Sequence, residues 1–306
     1  MTERAAHPGP GPAAPFSAGT GRTAVEVPAG ACDCHVHLYD ARYPAVAGAK
    51  LLPPDAGADD YRLLQQRTGT ARAVFVTPST YGVDNRALLD ALDAFGEAAR
   101  GVAVIGPDTG DETLHALHAR GVRGVRLNLS LGVANDAADL LPLARRIAPL
   151  GWHLQLLAPP DLLLGLAPAL EALPVPLVFD HFGRLAPSMA GRHGAHALIL
   201  RLLRAGRAWV KLSGGYIVSE RPAPHDDLMP LARSCIEAAP ERVLWGSDWP
   251  HASASAGHQP MPDDARQMDQ LAQWAGTAGV LRRILVDNPA ALYGFDLPPT
   301  TNRETS

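Results

Sequence analysis

Asp33-Cys34-His35-Val36-His37 is the stretch on which the reading of this chain turns. Side chains on a strand alternate between faces, so His35 and His37 share one face and can enter one site together. The small apolar pair Ala31-Cys32 precedes the stretch and Tyr39-Asp40-Ala41 follows it, the pattern of a short buried strand running out into a loop. Taken alone, a His-x-His pair admits metal ligation, oxyanion binding, or two histidines satisfied within a core.

Working outward, short apolar runs alternate with amphipathic segments of helix length until eight runs are counted. They are Cys32 to His37, Ala73 to Thr77, Val102 to Ile105, Val122 to Leu127, His153 to Leu157, Leu177 to His181, Trp209 to Leu212 and Val243 to Gly246. Helical patterns between them include Asn85 to Ala99, Asp111 to Arg120, Asp136 to Leu150, Pro160 to Leu173, His196 to Ala205 and Asp226 to Ala238. Strand–helix alternation builds a parallel sheet with right-handed crossovers, and eight units predict a closed (β/α)8 barrel, an α/β fold in one domain. A dinucleotide fold would need a Gly-x-Gly-x-x-Gly turn after its first strand, and none follows His37.

A barrel of about 250 residues fits a chain of 306 with additions at its ends. Residues 1–24, rich in Pro, Gly and Ala without apolar periodicity, predict a disordered leader whose removal leaves stability and activity unchanged. Residues 25–297 then form the barrel, and 298–306 a flexible tail. Hydrophobic residues at 47% against 19% charged supply a large core and exclude a wholly disordered chain. A net charge of −4 offers no footprint for nucleic acid or a membrane surface, which points to a small-molecule partner. Cys32, Cys34 and Cys235 form no disulfide framework, no run reaches the roughly 18 to 20 apolar residues of a membrane helix, and no apolar signal segment opens the chain. A cytoplasmic location is expected. Oligomeric state is not set by these observations.

In such barrels the chemistry lies at the carboxyl ends of the strands. That rule selects His35 and His37 from the first strand, Ser79 beyond the second, Arg126 and Asn128 from the fourth and Gln155 from the fifth. The sixth offers Asp180, His181 and Arg184, the seventh Lys211 and Ser213, and the eighth Asp248 and His251. Each has a structural reading as well. Gln155 and Lys211 can fill barrel layers, Ser79 can cap a turn, Asn128 can belong to a loop, and Arg184 can make an ion pair at the mouth. By strand alternation Asp180 points away from the face of His181 and takes a structural role. Asp248 between Trp245 and Trp249 reads as functional.

A first strand ending His-x-His, a later strand ending in histidine and a last strand ending in aspartate resemble the amidohydrolase superfamily. Five ordered blocks narrow the likeness: Leu52-Pro53-Pro54-Asp55-Ala56-Gly57, Gly124-Val125-Arg126-Leu127-Asn128, Asp180-His181-Phe182-Gly183-Arg184, Gly246-Ser247-Asp248-Trp249-Pro250-His251 and Asp287-Asn288-Pro289-Ala290-Ala291-Leu292-Tyr293. From Cys32 to Phe295 they resemble the branch containing pyrone-dicarboxylate lactonases and sugar-lactone hydrolases and isomerases.

The resemblance implies a hydrolase that opens a lactone or related cyclic ester of a small, carboxylated substrate in aromatic or sugar-acid catabolism. It implies Asp248 as general base for water, His35, His37 and His181 stabilising the developing oxyanion, and Arg126 with Ser79 binding a substrate carboxylate. Asn128, Gln155, Arg184 and His251 complete the expected substrate-binding set. The branch's further arginines are replaced here by Ser130-Leu131-Gly132 and Tyr216-Ile217-Val218, and its substrate-facing tyrosines by Leu51 and Leu157, so a lactone less charged than a dicarboxylate is expected. No metal cofactor is expected. The alternative is a single divalent ion such as zinc on His35, His37, His181 and Asp248, since the permanent cation at Arg126 opposes a two-metal centre. Rival activities are a metal-dependent decarboxylase or a lactone isomerase of the same superfamily. An inactive barrel serving as a binding module is opposed by the four intact residues.

Overall fold

The computed structural model describes residues 11–297. The expected tail, 298–306, and the first ten residues of the expected leader lie outside the described residues. Eight strands form one parallel sheet in sequence order: β1 (Cys32–Val36), β2 (Arg72–Val76), β3 (Ala99–Ala103), β4 (Val122–Asn128), β5 (His153–Leu157), β6 (Leu177–Phe179), β7 (Ala208–Leu212) and β8 (Val243–Trp245). The sheet closes where the segment after β8 meets β1. Val36 pairs in parallel with Trp249, Asp248 N donates to His35 O at 2.9 Å, and His37 N donates to Trp249 O at 2.8 Å. Gly246 permits the approach, since a Cβ there would stand 2.5 Å from that of His35.

Helices fill the crossovers: α1 (Ala58–Thr68), α2 (Arg86–Phe95), α3 (Asp111–Ala119), α4 (Leu140–Ile147), α5 (Pro160–Gly165), α6 (Ala167–Glu171), α7 (Gly194–Arg204), α8 (Gly215–Val218) and α9 (Met229–Ala238). After β8 come α10 (Ala252–Ser255), α11 (Asp264–Ala275), α12 (Ala278–Arg282) and α13 (Asn288–Tyr293). Their apolar faces, such as Leu88, Ala91 and Leu92 of α2 or Leu198, Ile199 and Leu202 of α7, pack on the outer face of the sheet as the main core. A second cluster, with Cys32, Cys34, Val74, Val102, Val178 and Leu244, fills the lower barrel above Tyr293 and Phe295.

The strand expectations hold with two main departures: β6 ends at Phe179 rather than His181, and β3 begins at Ala99 rather than Val102. Arg100 hid its start: the residue is 9% exposed, its guanidinium donates to Ala99 O and Gly294 O, and it stacks on Phe295. The segment expected as one helix from Pro160 splits into α5 and α6, with Pro168 in the first turn of the second.

The leader is where the structure differs most from expectation. Residues 11–24 lie against the barrel. Pro15 O accepts from Trp249 Nε1 at 2.8 Å, and the Phe16 ring meets that indole edge-on at 5.7 Å. Arg67 of α1, 1% exposed, donates to Gly21 O (2.8 Å), Ala18 O (2.7 Å), Ser17 Oγ (3.1 Å) and Asp263 Oδ1 (2.5 Å). The segment is held by its carbonyls rather than by an apolar stripe, so a search for periodicity passes over it.

Candidate active site

A bulge in β1 between Asp33 and Val36 builds the floor of the site. It allows Cys32 and Cys34 to pack in the lower barrel while His35 and His37 also face inward, and it turns the Asp33 carboxylate toward the closing seam. There Asp33 accepts from Ser247 N (2.9 Å), Ser247 Oγ (2.6 Å) and Tyr61 OH (3.2 Å), tying β1 to the residue before Asp248.

His35 and His37 form a directed chain. His37 Nδ1 lies 2.7 Å from Val76 O, and a carbonyl only accepts, so Nδ1 carries the proton and Nε2 presents a lone pair. His35 Nε2, 3.2 Å away, supplies the proton between them, and His35 Nδ1 then accepts from Lys211 Nζ at 3.2 Å. Lys211 also donates to Gln155 Oε1 at 2.6 Å; Gln155 Nε2 and Arg126 Nε donate to Asp180 Oδ2 at 3.1 and 3.0 Å. Asp180 therefore faces inward, against four strands, and is the hub beneath the histidines. His181 reaches the site by another route: β6 ends at Phe179, and His181, Phe182, Gly183 and Arg184 take left-handed φ values of 48, 57, 64 and 58°. Three non-glycine residues held there mark a constrained turn, which swings His181 over the barrel with Nδ1 2.9 Å from Ser213 Oγ.

Asp248, also left-handed at φ 69°, projects its carboxylate into this ring. Its Oδ1 lies 3.5 Å from His35 Nε2, 3.7 Å from His37 Nε2 and 3.7 Å from His181 Nε2, while Oδ2 accepts from Tyr216 OH at 2.6 Å. Burial holds all three imidazoles below their ordinary range, His37 at about 4. Burial pushes the Asp248 carboxyl up, but His181, His35, His37 and the Tyr216 hydroxyl together outweigh it and hold it below the usual carboxylate value. At neutral pH one carboxylate thus faces three neutral imidazoles.

Above lies a pocket of about 400 Å³. His37, His181, Asp248, Arg126, Ser79, Asn128 and Arg184 line it, as does Tyr216, which the strand-end rule passed over because it sits in α8, beyond β7. Asn128 Nδ2 donates to Ser79 Oγ at 2.8 Å beside Arg126, whose Nε is taken by Asp180. Arg184 makes no ion pair among the described residues. Three residues of the expected site lie outside the pocket lining. His35 is fully buried and lies behind the pocket. Gln155 is fully buried among Lys211 and Asp180, in the barrel layer below. His251 is fully buried with Nε2 3.1 Å from Asp264 Oδ2, and its backbone N donates to Asp248 O at 2.7 Å. Neither of the last two lines the pocket.

The donor set fits a single divalent ion. His35, His37 and Asp248 bring their ligand atoms within 3.2 to 3.7 Å of one another, near the roughly 3.3–3.6 Å edges of tetrahedral zinc coordination. Asp180 Oδ1, 3.2 Å from His35 Nδ1 and without a hydrogen-bond partner, could take the imidazole proton that such ligation would displace to Nδ1. These three residues would hold the ion, which would supply Lewis-acid polarisation and a more acidic water.

The barrel, with its chemistry gathered at the strand ends, defines the class, and comparison with known proteins places the chain within it. The family model described as amidohydrolase matches residues 32–295, and the chain belongs to that family. It is 35% identical over 281 residues to a 2-pyrone-4,6-dicarboxylate hydrolase of Comamonas testosteroni, covering 88% of this chain and 91% of the relative. A 4-sulfomuconolactone hydrolase of Rhizobium radiobacter is 33% identical over 273 residues, with the same coverage of each. A D-galactarolactone isomerase of Agrobacterium fabrum is 32% identical over 270 residues, covering 87% and 91%. The chain is an enzyme of the hydrolase type.

Proposed function

We propose that this enzyme hydrolyses the ester bond of a carboxylated lactone in aromatic or sugar-acid catabolism. The observation that carries the reading is the Asp248 carboxylate, whose Oδ1 lies 3.5 to 3.7 Å from the Nε2 atoms of three buried histidines at a pocket that Arg126 also lines. Asp248 Oδ1 accepts a proton from water as the water attacks the lactone carbonyl. His181, with Ser213 at Nδ1, turns its Nε2–H toward the oxygen on which charge develops. Arg126, beside Ser79 and Asn128, holds the substrate carboxylate with its free guanidinium edge. Leu51, Leu131, Leu157 and Ile217 line the same pocket, which supports a lactone less charged than the pyrone dicarboxylate named for the Comamonas relative. Lys50 and Arg184 are the further cations of the lining.

The unbroken chain Lys211–His35–His37–Val76 O leaves each ring nitrogen partnered and supports catalysis without a metal. Three unpaired cysteines support a reducing, cytoplasmic setting, and no helix among the described residues is long and apolar enough to cross a membrane.

A panel of carboxylated lactones assayed for acid release tests the reading, with the products identified. Hydrolysis gives the ring-opened hydroxy acid and one proton per turnover at neutral pH. The isomerase relative makes the rival concrete: a rearranged ring with no acid release would establish isomerisation instead.

A further inference from the structure

Tyr216 occupies a position the proposed hydrolysis has not used. Its hydroxyl donates to Asp248 Oδ2 at 2.6 Å, on the side of the carboxylate turned away from the three histidines, and its side chain lines the substrate pocket. The His251 ring meets the phenol edge-on at 5.4 Å and 86°, and His251 is itself held by Asp264, so the tyrosine is braced from behind. Attack and leaving-group departure make opposite demands on one carboxylate. Oδ1 faces the imidazoles, where the proposed hydrolysis deprotonates water, whereas Oδ2 faces the hydroxyl of Tyr216, a residue of the pocket lining.

We propose that Tyr216 is a catalytic proton relay, passing the proton that Asp248 takes from water to the lactone's leaving oxygen. The proposal rests on the hydrolase reading. In the first step water adds to the carbonyl carbon, its proton going to Asp248 and the carbonyl electrons to the oxygen beside His181. In the second the tetrahedral intermediate collapses and the ring C–O bond breaks. The protonated carboxyl turns about its Cβ–Cγ bond to bring that proton to the side of Tyr216; the departing alkoxide takes the phenolic proton of Tyr216, and Tyr216 takes the proton from Asp248. Carboxylate and phenol both return to their starting forms, and the product is the hydroxy acid, so protons and electrons balance.

The relay separates leaving groups. An alkoxide needs its proton as the bond breaks, whereas a phenoxide leaves without one. The test compares wild type and Tyr216→Phe on two carboxylated lactones that differ in the leaving oxygen, one a secondary alcohol and one a phenol. Turnover of either by the wild type tests the hydrolase reading separately. The relay predicts that the variant loses about 100-fold or more in kcat on the alkyl lactone and less than about fivefold on the aryl lactone, with KM for both little changed. Equal losses on both would show that Tyr216 only positions Asp248, and no loss on the alkyl lactone would remove it from the mechanism; either result overturns the proposal. A wild-type solvent deuterium isotope effect provides a readout that does not depend on folding of the variant. It should be larger on the alkyl than on the aryl lactone, and equal effects would contradict the relay.

Discussion

Lys211 Nζ stands 3.2 Å from His35 Nδ1, and both residues are fully buried. The ammonium can only donate, so it fixes which ring nitrogen of His35 carries the proton. It also balances Asp180, whose Oδ1 is 3.6 Å from Nζ. Lys211→Met keeps the length of the side chain but leaves Asp180 with Arg126 as its remaining cation. Removing one member of a buried ionic network costs about 3–5 kcal/mol. Chemical denaturation should show a loss of that size together with a fall in kcat. An unaltered midpoint would mean that Lys211 is not charged in the folded protein.

Arg126 is expected to separate carboxylated from neutral substrates. Arg126→Met removes the free guanidinium edge and also one partner of Asp180, so some loss will be common to all substrates. A carboxylated lactone should lose at least tenfold more in kcat/KM than its neutral analogue, about 1.4 kcal/mol of selective binding. Equal losses would reduce Arg126 to a structural partner of Asp180.

Removing residues 1–24 should destabilise the enzyme. Arg67 would lose acceptors at Gly21, Ala18 and Ser17 while remaining buried, and Trp249 would lose Pro15 O. A drop in melting temperature of about 5 °C or more is expected for a loss of roughly 2 kcal/mol or more in a chain of this size. Because Trp249 follows Asp248, kcat should fall as well. An unchanged melting curve would show that the segment does not hold its place in solution.

The fold was legible because the strand-and-helix alternation reads directly as eight βα units; β3 was displaced by a buried arginine whose charge masked a strand, and β6 was cut short by the turn at His181. The candidate site was legible at His37, His181, Arg126 and Asp248, which lie at or just beyond strand ends, with His35 placed behind them rather than in the pocket lining. It was less so where geometry departs from alternation. Asp180 faces the interior, and His181 joins it through a left-handed turn that a period of two cannot show. Tyr216 was read only as standing in place of an arginine, because it lies in α8, and a polar residue beyond a strand end carries no signal of its partner. The packing of residues 11–24 was not legible, because carbonyls accepting from one buried arginine leave no hydrophobic pattern.

Chelation distinguishes the two occupancies that the histidine pair allows. With the chain from Lys211 to Val76 O intact, exhaustive treatment with a strong chelator should leave activity within about twofold of an untreated sample. Activity lost on chelation and restored by one equivalent of zinc would recast His35, His37 and Asp248 as ligands.

The most direct measurement is the rate of acid release from a carboxylated lactone by the wild type and by Asp248→Asn. The variant keeps the shape of the side chain and a partner for Tyr216 but removes the proton acceptor. Wild-type turnover to the ring-opened acid, with a fall in kcat of about 100-fold or more in the variant and a KM changed far less, is the predicted result. Near-normal acid release by Asp248→Asn would contradict the account.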